Sequence, residues 1–353
     1  MSGLDPSLPR TVDSLVRGFI DRGTALGAQA FVAHRGRTVL DEAWGTTHDG
    51  RPVTVSTRFP VFSACKPVTA TAFHIAAQRG LVAYRDPVAK VIPEFAQHGK
   101  DEVTWHHVLL HRAGVSDSSL QLIRAETFAD WDAGIAAICA MPPESAPGAV
   151  VMYHPLTGSA LLAEAVRRTD GRSFVDFCRD EIFAPLGMQR ATWGLPAGLE
   201  AEATLAVAGA PEHEDLFRRF NSPQGLNAVL PGAGLYCRAR DLGRFYRAWC
   251  SDGGGVVSPE TVRLATTMHD RLGDRSGTGY GFHVGAERKD PTFRRGNLAS
   301  ERSFGHNGYA NSTAWCDPET QVSAVFLFNL APSEAGDRRF NLLSDAVHRA
   351  VRA

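Results

Sequence analysis

The sequence predicts an α+β fold: one antiparallel sheet flanked by N- and C-terminal helices, plus a mostly helical subdomain. Three observations point there. Apolar stripes at helical spacing stand at both ends of the chain, at 9–22 and 340–351. Strand-like runs stand next to those helices, early at 28–33 and 38–43 and late at 280–284, 312–316 and 323–329. Between them, from about 65 to 265, the pattern is helix and loop. A sheet built from both chain ends and covered by the terminal helices buries all these apolar faces together, and the middle forms a second lobe.

In chain order, the first helix carries Val12, Leu15, Val16, Phe19 and Ile20 on one stripe. His34-Arg35-Gly36-Arg37 joins the first two strands as a hairpin-like turn. Residues 62–79 have a helical pattern that stops at Gly80, a suitable residue just past a helix end. Further helices are expected at 159–168, at 174–183 behind the capping pair Ser173 and Asp176, and at 242–250 before the glycine run 253–255. Asp317-Pro318-Glu319-Thr320 is a turn between the last two strands. The closing helix places Phe340, Leu343, Val347 and Val351 on one face. The whole chain, 1–353, is expected to form a single unit. Its α/β part spans about 1–64 and 270–353, and its helical part about 65–269.

With 44% apolar and 21% charged residues, the 353-residue chain is an ordinary globular protein with ample core. A net charge of −1 suggests neither a nucleic acid nor a membrane surface as partner. No apolar run approaches the ~20 residues that span a bilayer. The opening MSGLDPSLPRTVDSLVRGF lacks the apolar core of an export signal. The six cysteines (65, 139, 178, 237, 250 and 316) form no C-x-x-C pair and read as reduced, mostly buried thiols. A cytoplasmic location is therefore expected. Lysine occurs only at positions 66, 90, 100 and 289 in a chain whose basic residues are otherwise arginine, so each lysine stands out.

The strongest local signal is Ser63-Ala64-Cys65-Lys66, an S-x-x-K at the start of a helix. A spacing of three puts both side chains on one helical face, about 5–6 Å apart at Cβ. A serine hydroxyl needs a neighbour to take its proton before it can attack. A helix N-terminus adds positive partial charge where an oxyanion would form. Taken alone, the pattern fits equally an N-cap serine followed by a surface lysine.

Four more segments extend the pattern. Residues 63–69, SACKPVT, are similar to the S-x-T-K-P-V-T opening of β-lactamase-related esterases. Leu109-Leu110-His111-Arg112-Ala113-Gly114 resembles their LLxHxSG stretch, and Tyr153-His154-Pro155-Leu156-Thr157 resembles their tyrosine motif. Gly232-Ala233-Gly234-Leu235 resembles their glycine turn, and Gly305-His306-Asn307-Gly308 their H-x-G strand. Five segments in the family's order resemble the β-lactamase-related serine hydrolases, in particular the family VIII carboxylesterases and class C β-lactamases. The resemblance implies a β-lactamase/penicillin-binding-protein-like fold and an acyl-enzyme on Ser63. It implies Tyr153 as general base helped by Lys66, and an oxyanion site made by the backbone N–H groups of Ser63 and Tyr309. His306 and Gly308 would then edge the cleft, with glycine allowing close approach of substrate. A free tyrosine has a pKa of about 10, so a nearby ammonium is needed to favour its phenolate.

Departures from the pattern bear on substrate. β-Lactamases and penicillin-binding proteins usually carry lysine at the position of His306, where it holds a carboxylate; histidine is largely neutral at pH 7. They usually carry asparagine at the position of Pro155, and proline has no amide to grip an acylamino group. Both changes favour cleavage of carboxylic esters on a small ester or acyl substrate over β-lactams or D-Ala peptides. A related acyltransferase, passing the acyl group to an alcohol or amine, is the nearest alternative. A catalytically silent binding protein is a third. Cys65 replaces the usual threonine and points roughly 200° away from Ser63 on a helix, which reads as packing. His107 and His111, four apart, lack an H-E-x-x-H context and read as structural, and 212–215 reads as an exposed loop. Neither metal nor cofactor is expected. Phe128, Trp131 and Ile135, in a stretch at 115–150, are expected to line the cleft.

Overall fold

The computed structural model describes residues 4–116, 128, 130–286, 294–333 and 337–352. Its frame is one eight-stranded antiparallel sheet. The strands are β1 (Gly27–His34), β2 (Arg37–Gly45), β3 (Asp270–Arg271), β4 (Ser276–Thr278), β5 (His283–Gly285), β6 (Phe304–Gly308), β7 (Ser312–Asp317) and β8 (Val322–Phe328). Their spatial order is β2-β1-β8-β7-β6-β5-β4-β3, so the two chain ends meet at the β1–β8 pair. The register there runs from Ala28 opposite Phe328 to His34 opposite Val322.

Alternation along these strands makes two buried faces. Ala28, Ala30, Val32, Ala324, Phe326 and Phe328 face α1 (Leu8–Asp21) and the C-terminal helix Arg339–Arg352, whose Val12, Val16, Leu343 and Val347 complete that layer. On the opposite side Phe31, Ala33, Val325 and Leu327 belong to the large core shared with the helical subdomain. The helix Ala239–Trp249 packs against β1 and β8 on that side, although it lies within the 65–269 stretch.

Local chemistry sets the element ends. Arg35 and Gly36 both have positive φ, 50° and 74°, as a tight two-residue hairpin turn requires. Ser173 caps the helix after it by accepting the Asp176 N–H at 3.1 Å. The helix expected from residue 242 starts earlier, at Ala239, because the Asp241 carboxylate holds both the backbone N–H of Arg238 and its guanidinium.

The strand expected at 280–284 is not continuous: β4 ends at Thr278 and β5 starts at His283. Between them the chain turns, with the Gly279 N–H donating to the Phe282 carbonyl at 2.8 Å. Gly281 sits at φ 87°, against the helix that follows Ser63; a Cβ there would lie 2.2 Å from the Ala70 methyl. Close packing on that helix replaces the strand.

Candidate active site

Ser63 lies in a short 3-10 turn, Phe62–Cys65, which runs directly into α2 (Lys66–Gln78). Phe62, just before it, has φ 46°, a left-handed conformation that costs a bulky residue energy. Stacking of its ring with Phe220 at 4.5 Å and Phe217 at 5.5 Å helps to hold it there. Two more ties fix the turn. The Val61 N–H donates to Leu235 O at 3.0 Å, and the Val61 carbonyl accepts from Ser312 Oγ at 2.7 Å. The β6–β7 hairpin is thereby anchored to the serine turn.

Lys66 is 5% exposed, and its ammonium donates to Ser63 Oγ at 3.0 Å and to the Gly232 carbonyl at 2.7 Å. Tyr153 Oη donates to the same Ser63 Oγ at 3.2 Å. The Lys66 nitrogen stands 5.3 Å from the centre of the Tyr153 ring, and both groups converge on the Ser63 oxygen. Tyr153 is 47% exposed, so the phenol stands at the surface end of this group while Lys66 is buried behind it.

The glycine turn is the hub of this arrangement. Pro231 O accepts from Thr69 Oγ1 at 2.6 Å and from Cys65 Sγ at 3.4 Å, while the next carbonyl, of Gly232, accepts from Lys66. Gly232 has no room for a side chain: a Cβ would lie 1.9 Å from the Pro155 carbonyl, two residues past Tyr153. The segments around 153 and 232 are therefore in direct backbone contact, and the side chains of Cys65, Lys66 and Thr69 tie the serine helix to the same turn.

His306 is buried, not solvent-facing; its ring stacks on His283 at 4.3 Å and its Nδ1 lies 2.7 Å from Asn307 O. Burial, with His283 and Lys66 nearby, holds its pKa well below the ordinary histidine value, so the ring is neutral. Gly308 allows the strand to approach the serine turn, since a Cβ would meet the Val61 carbonyl at 2.1 Å. Tyr309 follows at the hairpin tip, and its hydroxyl lies 3.0 Å from His213 Nδ1.

That contact corrects the reading of 212–215 at one residue: Glu212, Glu214 and Asp215 are exposed as expected, but His213 is not. Pro211–His213 is a 3-10 turn leading into the helix Glu214–Phe220, and His213 is fully buried, with Nε2 2.8 Å from Pro332 O. Because a carbonyl only accepts, the bond to Pro332 O places a proton on Nε2. His111 also has a clear place: its ring meets Tyr153 edge-on at 4.7 Å and His154 at 4.6 Å. Burial, then His154 and Lys66, keep it neutral. The sequence motif marks position 111 but gives no hint of this contact, and Phe62 and His213 carry no sequence signal at all.

His107 completes a helix cap with Thr104. Among the other lysines, Lys90 pairs with Asp86 on the surface at 2.8 Å. Buried Lys100 donates to the carbonyls of Cys139 and Met141. Lys289 is outside the described residues, as are 117–127 and 129 of the stretch expected to line the cleft. From that stretch, Phe128 and Ile135 are buried in the core of the helical subdomain, and Trp131 donates to buried Glu164 at 2.7 Å. These three side chains stabilise the lobe.

A constellation of this kind can share a serine proton with a phenol oxygen while an ammonium stabilises the negative charge. Comparison with known proteins bears on it at family level. The family model described as Beta-lactamase matches residues 12–347. The chain is 29% identical over 360 residues to Esterase/beta-lactamase LipL of Mycobacterium tuberculosis, covering 92% of this chain and 82% of that protein. A penicillin-binding protein homologue from Caulobacter crescentus superposes with a TM-score of 0.80 at 28% identity, covering 99% of each chain. A family VIII carboxylesterase superposes with a TM-score of 0.82 at 22% identity, again covering 99% of each, and so shows the same fold.

Proposed function

The chain belongs to the beta-lactamase family, and from that premise we propose that it cleaves carboxylic esters through an acyl-Ser63 intermediate. The observation that carries this reading is the convergence on Ser63 Oγ of Lys66 Nζ at 3.0 Å and Tyr153 Oη at 3.2 Å. The esterase relative in the family supports the same class of reaction. In the ionised triad, Tyr153 takes the Ser63 proton as Oγ attacks the ester carbonyl, and the Lys66 ammonium favours the phenolate. The tetrahedral oxyanion is received by the backbone N–H groups of Ser63 and Tyr309, on the turn and hairpin tip that Val61 and Ser312 tie together. Tyr153 returns its proton to the departing alcohol, and water repeats the sequence on the acyl-enzyme.

Neutral His306 supports an uncharged ester over a β-lactam, because the cation that would hold a drug carboxylate is missing from this strand. The six free thiols fit the reducing compartment expected from the sequence.

The reading is tested with a fluorophosphonate probe and peptide mass spectrometry. A single adduct on Ser63, lost in Tyr153→Phe and in Lys66→Ala, is the expected result. An adduct elsewhere, or none on the folded protein, overturns it. Turnover of a short-chain aryl ester with an added alcohol should release mainly free acid; transfer product in excess would assign the acyltransferase reaction instead.

A further inference from the structure

Away from Ser63, the helix Ala239–Trp249 opens onto the surface along a continuous groove. Two clefts of about 510 Å³ and 610 Å³ share Pro185, Leu186, Arg244 and Arg247 and together follow that helix from Arg240 to Cys250. Each volume lies within the range of small-molecule sites. The groove stands at the far end of the central strands from the serine turn. One end of the β7–β8 pair, at Ser312, is bonded to Val61, whereas Gly36, Gln321 and Ser323 line the groove beside the other end. The five residue steps from Ser312 to Asp317 put about 17 Å of strand between the two places.

The charge of the groove is one-sided. Arg240, Arg244 and Arg247 are spaced four and three apart, on one helical face, and Arg35 joins them from the β1–β2 turn. Like charges at these spacings repel. Arg240 is compensated by Asp41. Arg244 and Arg247 instead donate to the backbone carbonyls of Gly187 and Gly36. Among the described residues, no carboxylate pairs with Arg244, Arg247 or Arg35. Backbone carbonyls orient a guanidinium without cancelling its charge, and Leu186 and Pro185 give the wall a low-dielectric surface against which an anion is held more strongly. Arg244 and Arg247 stand about 4.5 Å apart along the helix, and Arg35 extends the row from the neighbouring turn.

We infer that this groove binds a small oligophosphate, with successive phosphoryl groups seated along Arg244, Arg247 and Arg35. Guanidinium forks match phosphate oxygens in pairs, which lysine does not do. The site needs no chemistry at Ser63, so it stands whether or not the esterase reading holds.

Sodium tripolyphosphate is the probe, titrated calorimetrically into the full chain at about 0.1 M salt, where loose surface attraction is already screened. One saturable site is expected, unchanged in Ser63→Ala and bound roughly tenfold more tightly than orthophosphate. Arg244→Gln/Arg247→Gln should weaken it by roughly tenfold or more with the thermal midpoint retained. Hydrogen exchange on the unmodified protein gives a readout that no variant can confuse: slowing confined to 35–41, 184–187 and 239–251 is expected. No saturable binding, protection mapped elsewhere, or undiminished binding to the folded double variant would each overturn the assignment.

Discussion

Two side chains of the serine turn, Ser63 and Cys65, could each act as nucleophile on composition alone, and their surroundings separate them. Ser63 Oγ meets Lys66 and Tyr153, whereas Cys65 is fully buried with Sγ turned to the Pro231 carbonyl at 3.4 Å. Burial pushes its thiol up to about 12, outweighing the opposite pull of Lys66. Thiolate is therefore negligible at neutral pH, and iodoacetamide should leave ester turnover intact. Cys65→Ser should keep activity within about threefold, since a hydroxyl can make the same hydrogen bond to Pro231 O. Inactivation that tracks alkylation of Cys65 would contradict this. His306 is decided in the same way, by its setting: buried against His283 and near Lys66, the position disfavours a cation whatever its place in the motif.

At the level of elements, the site depends on the glycine turn, which meets the Pro155 carbonyl backbone to backbone and is bonded to the serine helix by the side chains of Cys65, Lys66 and Thr69. Gly232→Ala would drive a methyl into the Pro155 carbonyl, and relief requires the turn to withdraw from the Tyr153 segment or from Lys66. Either movement pulls a proton-transfer partner off Ser63, so kcat is expected to fall about a hundredfold, with far less change in KM. Stopped-flow acylation by an aryl ester would measure it; unchanged acylation would mean the turn only fills space. Elements of this kind show how far the sequence could be read. The terminal helices, the Arg35-Gly36 turn and the central strands were legible because period and turn chemistry are local properties. Ser63, Lys66 and Tyr153 were marked by motifs, and the structure brings them together. The break at Tyr280–Phe282 was not legible, because it is set by contact between Gly281 and Ala70, more than 200 residues apart in the chain. The pairing of His213 with Tyr309, nearly a hundred residues apart, was hidden for the same reason.

For the molecule as a whole, several buried histidines are held neutral, and these set how the fold responds to acid. His74 and His154 are fully buried, and burial lowers their pKa values to about 4 and about 3. His111 and His306 are shifted in the same direction. Their contacts suit the neutral ring: Nε2 of His74 lies 3.1 Å from the Tyr280 carbonyl and Nε2 of His154 lies 3.2 Å from the Val108 carbonyl, so each donates one proton, and Nδ1 of His74 accepts from Tyr84. In the unfolded chain the same rings titrate near pH 6.5. The unfolded state therefore binds more protons below that value, and their contribution to stability, complete above pH 6.5, is lost as pH falls toward 4. At pH 5 each of His74 and His154 has forfeited about 2 kcal/mol. Carboxylates held low by arginine, such as Asp270 beside Arg112, lose their contribution only below about pH 4, so they do not blur this window. Thermal unfolding should thus show a midpoint about 5 °C or more lower at pH 5 than at pH 7, with most of the fall below pH 6.5. A midpoint that stays level down to pH 5 would mean that these rings already carry protons in the folded protein, and the neutral surroundings assigned to Lys66 and Tyr153 would have to be withdrawn with them.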